Sequence, residues 1–420
     1  MSNEKKIAII GGGLSGLSLA FYLSELNPNN CITVYEKNKW GGLIQTIQTK
    51  NQKVVELAAN AFLGHPEFFQ IANKIGATPV QSASKLGRYI FRIKATRWPL
   101  RGLENLKLLS LMFKFIFLKQ SFIPNARESI YDWGHRTLGK AITNFLLEPV
   151  LRGVYSGDFR QLSATLFYQK LKSNEKTKGL FSFQNGMGEF ISKLKKYLDH
   201  KVNFAKEEIS DLPSVLEKFD TVIVATSPAS AALLLNKNHP KESQMLGVFE
   251  MRSIASITLF LNSTKPIKGY GCLFPEAENM NSLGVLWSRD IFPVHGEQGI
   301  ERWMLLYTEQ DTDDSLLNKI KEDRKKLYGE NHFENKQSFP SEYHIQKWPQ
   351  GLPHMTTQIE DYVTHLNNPI IISNSNSNSN SKSKSQKKKI YLHGNYLGRM
   401  GTTDILLRSQ KLAKTINQEL

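Results

Sequence analysis

Short apolar runs separated by glycine-rich and polar turns dominate the start of the chain. Residues 7–10 form an uninterrupted apolar run, which is short enough for a strand buried on both faces. A second apolar stretch over residues 17–26 has the length of a helix, and residues 31–35 form another short run. The pattern therefore predicts a strand, a glycine-rich turn, a helix and a second strand.

The turn between the first strand and the helix carries glycine in G-x-G-x-x-G spacing. Gly11 permits the sharp turn, Gly13 lets backbone N–H groups approach a pyrophosphate, and Gly16 lets helix and strand pack closely. The second strand ends at Glu36, twenty positions after Gly16, where a carboxylate can bind a ribose but would disfavour a 2′-phosphate. We predict a dinucleotide site that includes Gly11, Gly13, Leu14, Ser15, Gly16, Glu36 and Lys37.

A second glycine pair follows the second strand, in Lys39-Trp40-Gly41-Gly42-Leu43. This segment resembles the double-glycine motif of the FAD-dependent amine oxidase-like superfamily, in which a second loop passes close to the cofactor. Lys39 stands where an arginine is usual, which keeps the charge but loses the planar guanidinium. The resemblance implies FAD rather than NAD, with Gly41, Gly42 and Leu43 as contacts.

Segments far along the chain are expected to complete the same domain. Residues 221–226 and 389–396 predict strands that end in small residues, and a helix follows the second one. The N-terminus of that helix is expected to face the flavin side of the pyrophosphate. The predicted contacts here are Ala225, Thr226, Gly394, Asn395, Gly401 and Thr402. Arg399 and Met400 replace a Gly-Val common in the superfamily, so Arg399 would either contact a phosphate or narrow the space over the flavin.

Length and cysteine content limit the class of protein. The chain has 420 residues, which is more than one hydrophobic core usually supports, so two or three domains are expected. Its two cysteines, Cys31 and Cys272, are far apart and argue for a reducing compartment. We expect no targeting segment before the first strand and no spanning helix, because no apolar run approaches ~20 residues.

The net charge of +16 is unevenly distributed. Residues 373–389 form a Ser/Asn/Lys tract that predicts a flexible surface loop without an assigned function. Residues 85–127 contain ten basic residues and one acidic residue, and residues 103–123 within them are mostly apolar with lysine flanks. That stretch predicts either a helical surface in the headgroup region of an anionic membrane or a buried helix with solvated lysines.

The stretch from residue 129 to residue 164 resembles a signature of the protoporphyrinogen oxidase family. The shared positions are Pro149, Gly153-Val154-Tyr155, Gly157-Asp158 and Leu162-Ser163, and residues 179–187 resemble the family's glycine-rich turn. The resemblance implies an α/β fold with a Rossmann-like FAD-binding domain in residues 1–84, 186–250 and 386–420. It is expected to be interleaved with a mixed-sheet substrate domain in residues 251–385 and a helical, membrane-associating substrate-entry domain in residues 85–185.

The same resemblance implies oxidation of protoporphyrinogen IX to protoporphyrin IX in haem biosynthesis, by three hydride transfers to the flavin with oxygen or a quinone as final acceptor. Because the flavin carries the chemistry, no catalytic side chain and no metal are expected. Arg88 lies where the family has an arginine that faces a substrate propionate. A surface arginine in the basic segment is the alternative interpretation of Arg88.

Three other functions are compatible with these motifs. A coproporphyrinogen III oxidase forming coproporphyrin III would use the same chemistry, and an amine oxidase or carotenoid desaturase would use the same architecture. A non-catalytic escort protein would have lost FAD, which the intact glycines and Glu36 oppose. The expected partners are a porphyrinogen, an anionic membrane surface at the inner face of the cell membrane, a second copy in a homodimer and a downstream ferrochelatase, with no nucleic acid. The expected location is cytoplasmic.

Overall fold

The structure is a computed structural model. It describes residues 5–49, 53–117, 122–171, 178–261, 267–296, 299–329, 339–340, 342–372 and 388–419.

Eighteen strands and fifteen α-helices are found in these residues. The strands are β1 Lys6–Ile10, β2 Cys31–Tyr35, β3 Thr46–Gln48, β4 Val54–Glu56, β5 Phe62–Leu63, β6 Val80–Gln81, β7 Arg88–Arg92, β8 Lys94–Thr96, β9 Leu180–Ser182, β10 Asn203–Ala205, β11 Thr221–Val224, β12 Met251–Phe260, β13 Gly271–Leu273, β14 Gly284–Trp287, β15 Ile300–Leu306, β16 Tyr343–Pro353, β17 Ile370–Ile372 and β18 Lys388–Leu392. The helices are α1 Leu14–Leu26, α2 Pro66–Lys74, α3 Gly102–Phe117, α4 Ile130–Thr137, α5 Lys140–Ile142, α6 Glu148–Tyr155, α7 Ala164–Leu171, α8 Met187–Leu198, α9 Leu212–Lys218, α10 Pro228–Leu235, α11 Pro240–Gly247, α12 Ser288–Ile291, α13 Asp313–Tyr328, α14 Glu360–Leu366 and α15 Thr402–Glu419. A π-helical turn, Thr143–Leu147, joins α5 to α6.

A six-stranded sheet contains the predicted opening unit. Its order is β10-β2-β1-β11-β18-β17, and all neighbouring pairs except β17 with β18 are parallel. Ile10 is level with Tyr35 on one side and Val224 on the other, so β1, β2 and β11 end side by side. The loops that follow these strands therefore begin at one edge of the sheet, which is where doubly wound folds bind their ligands.

Alternate residues of β1 pack on opposite faces of this sheet. Ile7 and Ile9 contribute to a core with residues of α1, α2, α8 and α15, whereas Ala8 and Ile10 contribute to a core with residues of α4, α6, α10 and α14. Because both faces are covered, the strands are continuous apolar runs. The predicted Rossmann-like domain within an α/β fold is confirmed.

A seven-stranded mixed sheet forms the second layer. Its order is β16-β12-β15-β14-β13-β7-β8, with β13 and β7 parallel and the other neighbours antiparallel. Ile257 and Trp303 face α13 and pack with Leu316 and Ile320. On the same face the buried Glu301 accepts a hydrogen bond from Arg324 Nε at 2.8 Å. The α13 side of the sheet is therefore closed by apolar packing around one buried ion pair.

The opposite face carries a cross-strand row. Residues paired directly across strands lie on one face of a sheet. The strand register therefore aligns, in order, Thr258, Arg302, Leu286, Gly271 and Arg88. This row, which we call the free-face row, lies on the side away from α13 and connects the middle of the sheet to β7.

Residues in the stretch 129–164 make close packing contacts and a helix cap. A Cβ at Gly153 would lie 2.5 Å from Leu273 Cδ2, so α6 packs close to this side chain on the free face of the mixed sheet. A Cβ at Gly157 would lie 2.8 Å from His354 Cδ2. Ser129 caps α4 by accepting a hydrogen bond from Asp132 N at 3.1 Å, as its position predicts.

Some strand pairs join residues from different predicted domains. Residues 85–185 are not only helical, because they begin with β7 and β8, which belong to the mixed sheet. β17, from the range predicted for the substrate domain, pairs with β18 in the six-stranded sheet. Of the predicted flexible tract, residues 373–387 lie outside the described residues, and Lys388 and Lys389 are the first residues of β18. The domain boundaries themselves stay a prediction.

Candidate functional site

The glycine turn after β1 is shaped by contacts that exclude side chains. Gly11 has φ +114°, and a Cβ there would lie 2.5 Å from Ala225 O. A Cβ at Gly16 would lie 1.9 Å from Gly11 O, so the helix can follow the strand only with glycine at this position. Ala225, which donates its N–H to Ile10 O, and the adjacent Thr226 are half-buried beside this turn.

The second loop is tied to the first by backbone pairing. Gly41 N donates to Gly12 O at 2.8 Å, and Gly13 and Gly41 form an isolated parallel bridge. Glu36 accepts hydrogen bonds from Gly12 N at 2.8 Å and from Asn38 N at 2.6 Å. A carboxylate has about four acceptor positions, so Glu36 keeps acceptor capacity for a ribose hydroxyl.

The arrangement fits a dinucleotide. The φ of Gly13 is −73°, which any residue can adopt, so its backbone does not require glycine. A Cβ there would meet only Gly42 Cα, at 3.9 Å, so the space beside Gly13 is open. Helix α1 has no side-chain cap and no acidic residue in its first turn. Its first N–H groups, including those of Leu14 and Ser15, therefore point towards an anion position that no side chain fills.

Lys37 and Leu43 lie at the margin of this cradle. Lys37 is exposed, and its Nζ lies 2.9 Å from Glu208 Oε1 in a surface ion pair. Leu43 is half-buried in the turn after Gly42. Their predicted contacts with the cofactor stay predictions.

The residues after β18 form another side of the site, two strands from β1 at the same edge of the sheet. Arg408 holds this loop, because its Nη1 donates to Gly394 O at 2.6 Å and its Nη2 donates to Arg399 O at 3.0 Å. Burial lowers the pKa of Arg408 to about 10, and nearby Asp404 opposes that shift. Arg399 Nη1 lies 3.4 Å from Asp404 Oδ1, so this arginine is engaged within its own loop. Asn395 is half-buried here.

A small-residue turn, residues 57–61, joins the two sheets. Trp348 Nε1 donates to Leu57 O at 2.9 Å, and Arg302 Nη2 donates to Ala58 O at 2.5 Å. At the other end, Thr402 Oγ1 donates to Ala61 O at 3.0 Å at the start of α15, next to the exposed Gly401. The turn is therefore fixed between the mixed sheet and the helix N-terminus that the sequence assigns to the flavin site.

Arg302 is buried at the centre of the mixed sheet. It is 2 % exposed, its Nε donates to Ser256 Oγ at 2.8 Å, and burial lowers its pKa to about 10. Nearby Glu56 is also buried, and its pKa is raised to about 7 by burial. Glu56 accepts hydrogen bonds from Met187 N at 2.6 Å and Thr46 Oγ1 at 2.7 Å, so it ties α8 to β3.

Arg88 lines a separate cavity at the end of the free-face row. The cavity has a volume of about 460 Å³, and its charged and aromatic lining residues are Lys85, Arg88, Arg97 and Tyr270. The Arg88 guanidinium carbon lies 5.3 Å from the centre of the Tyr270 ring. Within the described part of the chain, none of the three cations pairs with a carboxylate. We call this site the three-cation cavity.

Pattern analysis missed several residues that shape the site. Arg408, Arg302, Trp348 and Glu56 act through single long-range contacts, which leave no periodic signal in the sequence. Lys85 and Arg97 contribute to the sequence pattern only as charge in a basic segment.

Comparison with known proteins gives the family. Residues 14–396 match the family described as flavin containing amine oxidoreductase. A protoporphyrinogen oxidase from Dictyostelium discoideum is 27% identical over 391 residues, covering 69% of this chain and 74% of that protein. A coproporphyrinogen III oxidase from Staphylococcus aureus is 26% identical over 194 residues, covering 42% of this chain and 41% of that protein.

Solved structures agree at the level of the fold. A crystal structure from Exiguobacterium sp. 255-15 superposes with a TM-score of 0.75 at 18% identity, covering 100% of both chains. The family match spans most of the chain, and the cradle geometry fits its cofactor. The predicted cofactor and reaction class are confirmed: this chain belongs to the flavin containing amine oxidoreductases and is an FAD-dependent oxidoreductase.

Proposed function

We propose that this protein oxidises a porphyrinogen, and specifically protoporphyrinogen IX to protoporphyrin IX. The observation that carries the proposal is the free-face row, which runs from the buried Arg302 beside the 57–61 turn to Arg88 at the three-cation cavity. The names and similarity of the two relatives support the substrate class.

The row suits a flat apolar ligand with anionic arms. Arg302 and Arg88 are three strands apart, which corresponds to about 14 Å at 4.8 Å per strand. Between them lie Leu286, which has an apolar side chain, and Gly271, which has no side chain. The cations at the far end can bind carboxylates by charge-assisted hydrogen bonds.

The residues of the chain position the reactants, and FAD supplies the capacity to accept a hydride. Gly13 and Gly42 leave room for the pyrophosphate. Arg302 and Trp348 fix the turn expected to lie against the flavin. Packing of α6 at Gly153 covers the free face next to Leu273.

The number of substrate carboxylates distinguishes two candidate functions. Protoporphyrinogen has two carboxylates and is the more apolar compound, which fits the exposed apolar face of α3 described below. Coproporphyrinogen III has four, and the cluster of three cations at Lys85, Arg88 and Arg97 favours it. Oxidation of coproporphyrinogen III is therefore the second candidate.

Parallel aerobic assays should separate the candidates. We expect porphyrin fluorescence to appear with both substrates and the higher kcat/KM with protoporphyrinogen, with a flavin spectrum of the same sample as the control for cofactor content. The reverse order would assign the second function. No oxidation of either compound by flavin-loaded protein would contradict the proposal.

Arg88→Ala should raise KM several-fold while changing kcat little. An anchor for a substrate carboxylate contributes to binding in the ground state and the transition state alike. Steady-state kinetics with the preferred porphyrinogen measures both constants. Lys94→Ala is the control, since Lys94 is an exposed cation on the neighbouring strand and does not line the cavity. Unchanged kinetics in Arg88→Ala would remove Arg88 from the site.

Gly13→Ala should weaken flavin binding without unfolding the chain. The added methyl meets no protein atom closer than 3.9 Å, but it occupies the space that we assign to the pyrophosphate. We expect the affinity for FAD to fall at least about tenfold, which equals ~1.4 kcal/mol. Bound flavin per chain and thermal unfolding of the flavin-free protein measure the two effects.

Two other glycine variants are controls for the flavin content of Gly13→Ala. Gly102→Ala has no atom within 4 Å of the new Cβ and should leave flavin binding unchanged. Gly11→Ala combines φ +114° with a 2.5 Å approach to Ala225 O and should destabilise the fold itself. Normal flavin content in Gly13→Ala would show that the phosphates do not pass this glycine.

We propose that α3 docks on an anionic membrane surface. Leu103, Leu106 and Leu109 are 83%, 63% and 62% exposed, whereas Leu111 on another face is buried against Leu100 and Ile142. Exposed basic residues Arg101 and Lys107 flank this stripe. Among the residues that the structure describes, no helix has the length and apolarity needed to span a bilayer. An apolar stripe with basic flanks is typical of a helix that lies in the membrane interface.

Sedimentation with vesicles tests the docking surface. At low salt we expect binding to vesicles that contain anionic lipid and little binding to neutral vesicles. Leu106→Ser combined with Leu109→Ser should reduce binding several-fold. Leu233→Ser, at a 78% exposed leucine on α10, is the matched control and should bind normally. Equal binding by all three proteins would overturn the assignment of α3.

A further inference from the structure

A buried chain of hydrogen bonds connects the two sides of the FAD cradle. Ser18 Oγ on α1 lies 2.6 Å from Leu14 O, Ser409 Oγ on α15 lies 2.7 Å from Ser18 Oγ, and His393 Nε2 lies 2.8 Å from Ser409 Oγ. Ser18, Ser409 and His393 each have 0 % exposure. One end of the chain lies in the first turn of α1, directly after Gly13, and the other lies directly before Gly394.

The order of donors along this chain follows from its first link. Leu14 O is a carbonyl and can only accept, so the hydroxyl hydrogen of Ser18 must lie between these two oxygens. Ser18 Oγ then accepts from Ser409, whose own hydrogen is used in that bond. Ser409 Oγ must therefore accept from His393, so Nε2 carries a hydrogen.

The surroundings exclude a second hydrogen on the ring. His393 Nδ1 is buried and has no hydrogen-bond partner in the described structure. Burial, together with the nearby Arg408 guanidinium, lowers the pKa of His393 to about 3. The Arg408 guanidinium near the ring carries a positive charge, and it donates a hydrogen bond to Gly394 O. The imidazole is neutral, with its only hydrogen on Nε2.

We propose that His393 is a positioning residue for FAD, which as the Nε2–H tautomer fixes the end of β18 against the first turn of α1 through Ser409 and Ser18. The two segments carry Gly394 and Gly13, which follow different strands at the same edge of the sheet. A direct contact between Nδ1 and the cofactor is not required, because that atom is enclosed by protein. The proposal concerns FAD and is independent of the substrate.

Nitrogen NMR of the wild-type holoprotein tests the tautomer. The imidazole ¹⁵N shifts of His393, assigned by comparison with His393→Gln, should show a protonated Nε2 and an unprotonated Nδ1. They should stay constant between about pH 5 and 8, where an ordinary histidine titrates. A hydrogen on Nδ1, or titration in that interval, would overturn the proposal whatever the substrate is.

Variants test the link to FAD. Release of FAD from the holoenzyme, followed by flavin fluorescence, should become about tenfold faster in His393→Leu, which loses the donor. His393→Gln places an N–H near the same position and should restore most of the retention. His200→Leu, at an exposed histidine, is the control and should release FAD like the wild type.

A double variant separates a connected chain from general packing. Ser409→Ala should release FAD about as fast as His393→Leu, and the combined variant should be little worse than either, because both remove the same chain. Additive effects, or no rescue by His393→Gln, would mean that His393 only fills space. If His393→Leu does not fold, His393→Gln, Ser409→Ala and the NMR measurement still decide.

Discussion

The approach of Gly16 to the carbonyl of Gly11 is the contact on which the cofactor site depends. Any Cβ at Gly16 would lie 1.9 Å from that oxygen, so α1 can start directly at the end of β1 only because glycine is present. This places the first turn of α1 at the carboxyl edge of a parallel sheet, where β2, β11 and β18 also end. Glu36, Ala225 and Gly394 reach one place because their strands share this edge.

The mixed sheet imposes a second constraint, because its two faces carry different kinds of residue. The strand residues that pack with α13 are apolar apart from Glu301, which is paired with Arg324, whereas Arg302 lies on the other face. Arg302 illustrates the consequence. A buried guanidinium is costly unless it is hydrogen-bonded, and here it fixes Ser256 and the carbonyl of Ala58. The sheet is connected in this way to the wall of the FAD site.

Local pattern was sufficient for the elements but not for their long-range partners. The runs at residues 7–10 and 31–35 and the glycine spacing predict β1, β2 and α1, because the buried parallel strands are continuous apolar segments. β7 and β8 lie in a range predicted as a helical domain. Their place in the mixed sheet depends on the pairing of β7 with β13, which joins residues nearly two hundred positions apart and leaves no local pattern. No local pattern marks His393, because the residues that contact it, Ser409 and Arg408, come later in the chain. The substrate cannot be derived from the fold, since the same architecture carries many reactions.

Rapid anaerobic mixing of the flavin-loaded protein with protoporphyrinogen would show whether the porphyrinogen reduces the flavin. In the absence of oxygen, we expect the absorbance band of oxidised flavin to disappear in proportion to the porphyrinogen oxidised. It should return when oxygen or a quinone is admitted. A flavin band that is unaffected by protoporphyrinogen and by coproporphyrinogen III, yet is bleached by dithionite, would contradict the claim that this FAD-dependent oxidoreductase acts on porphyrinogens.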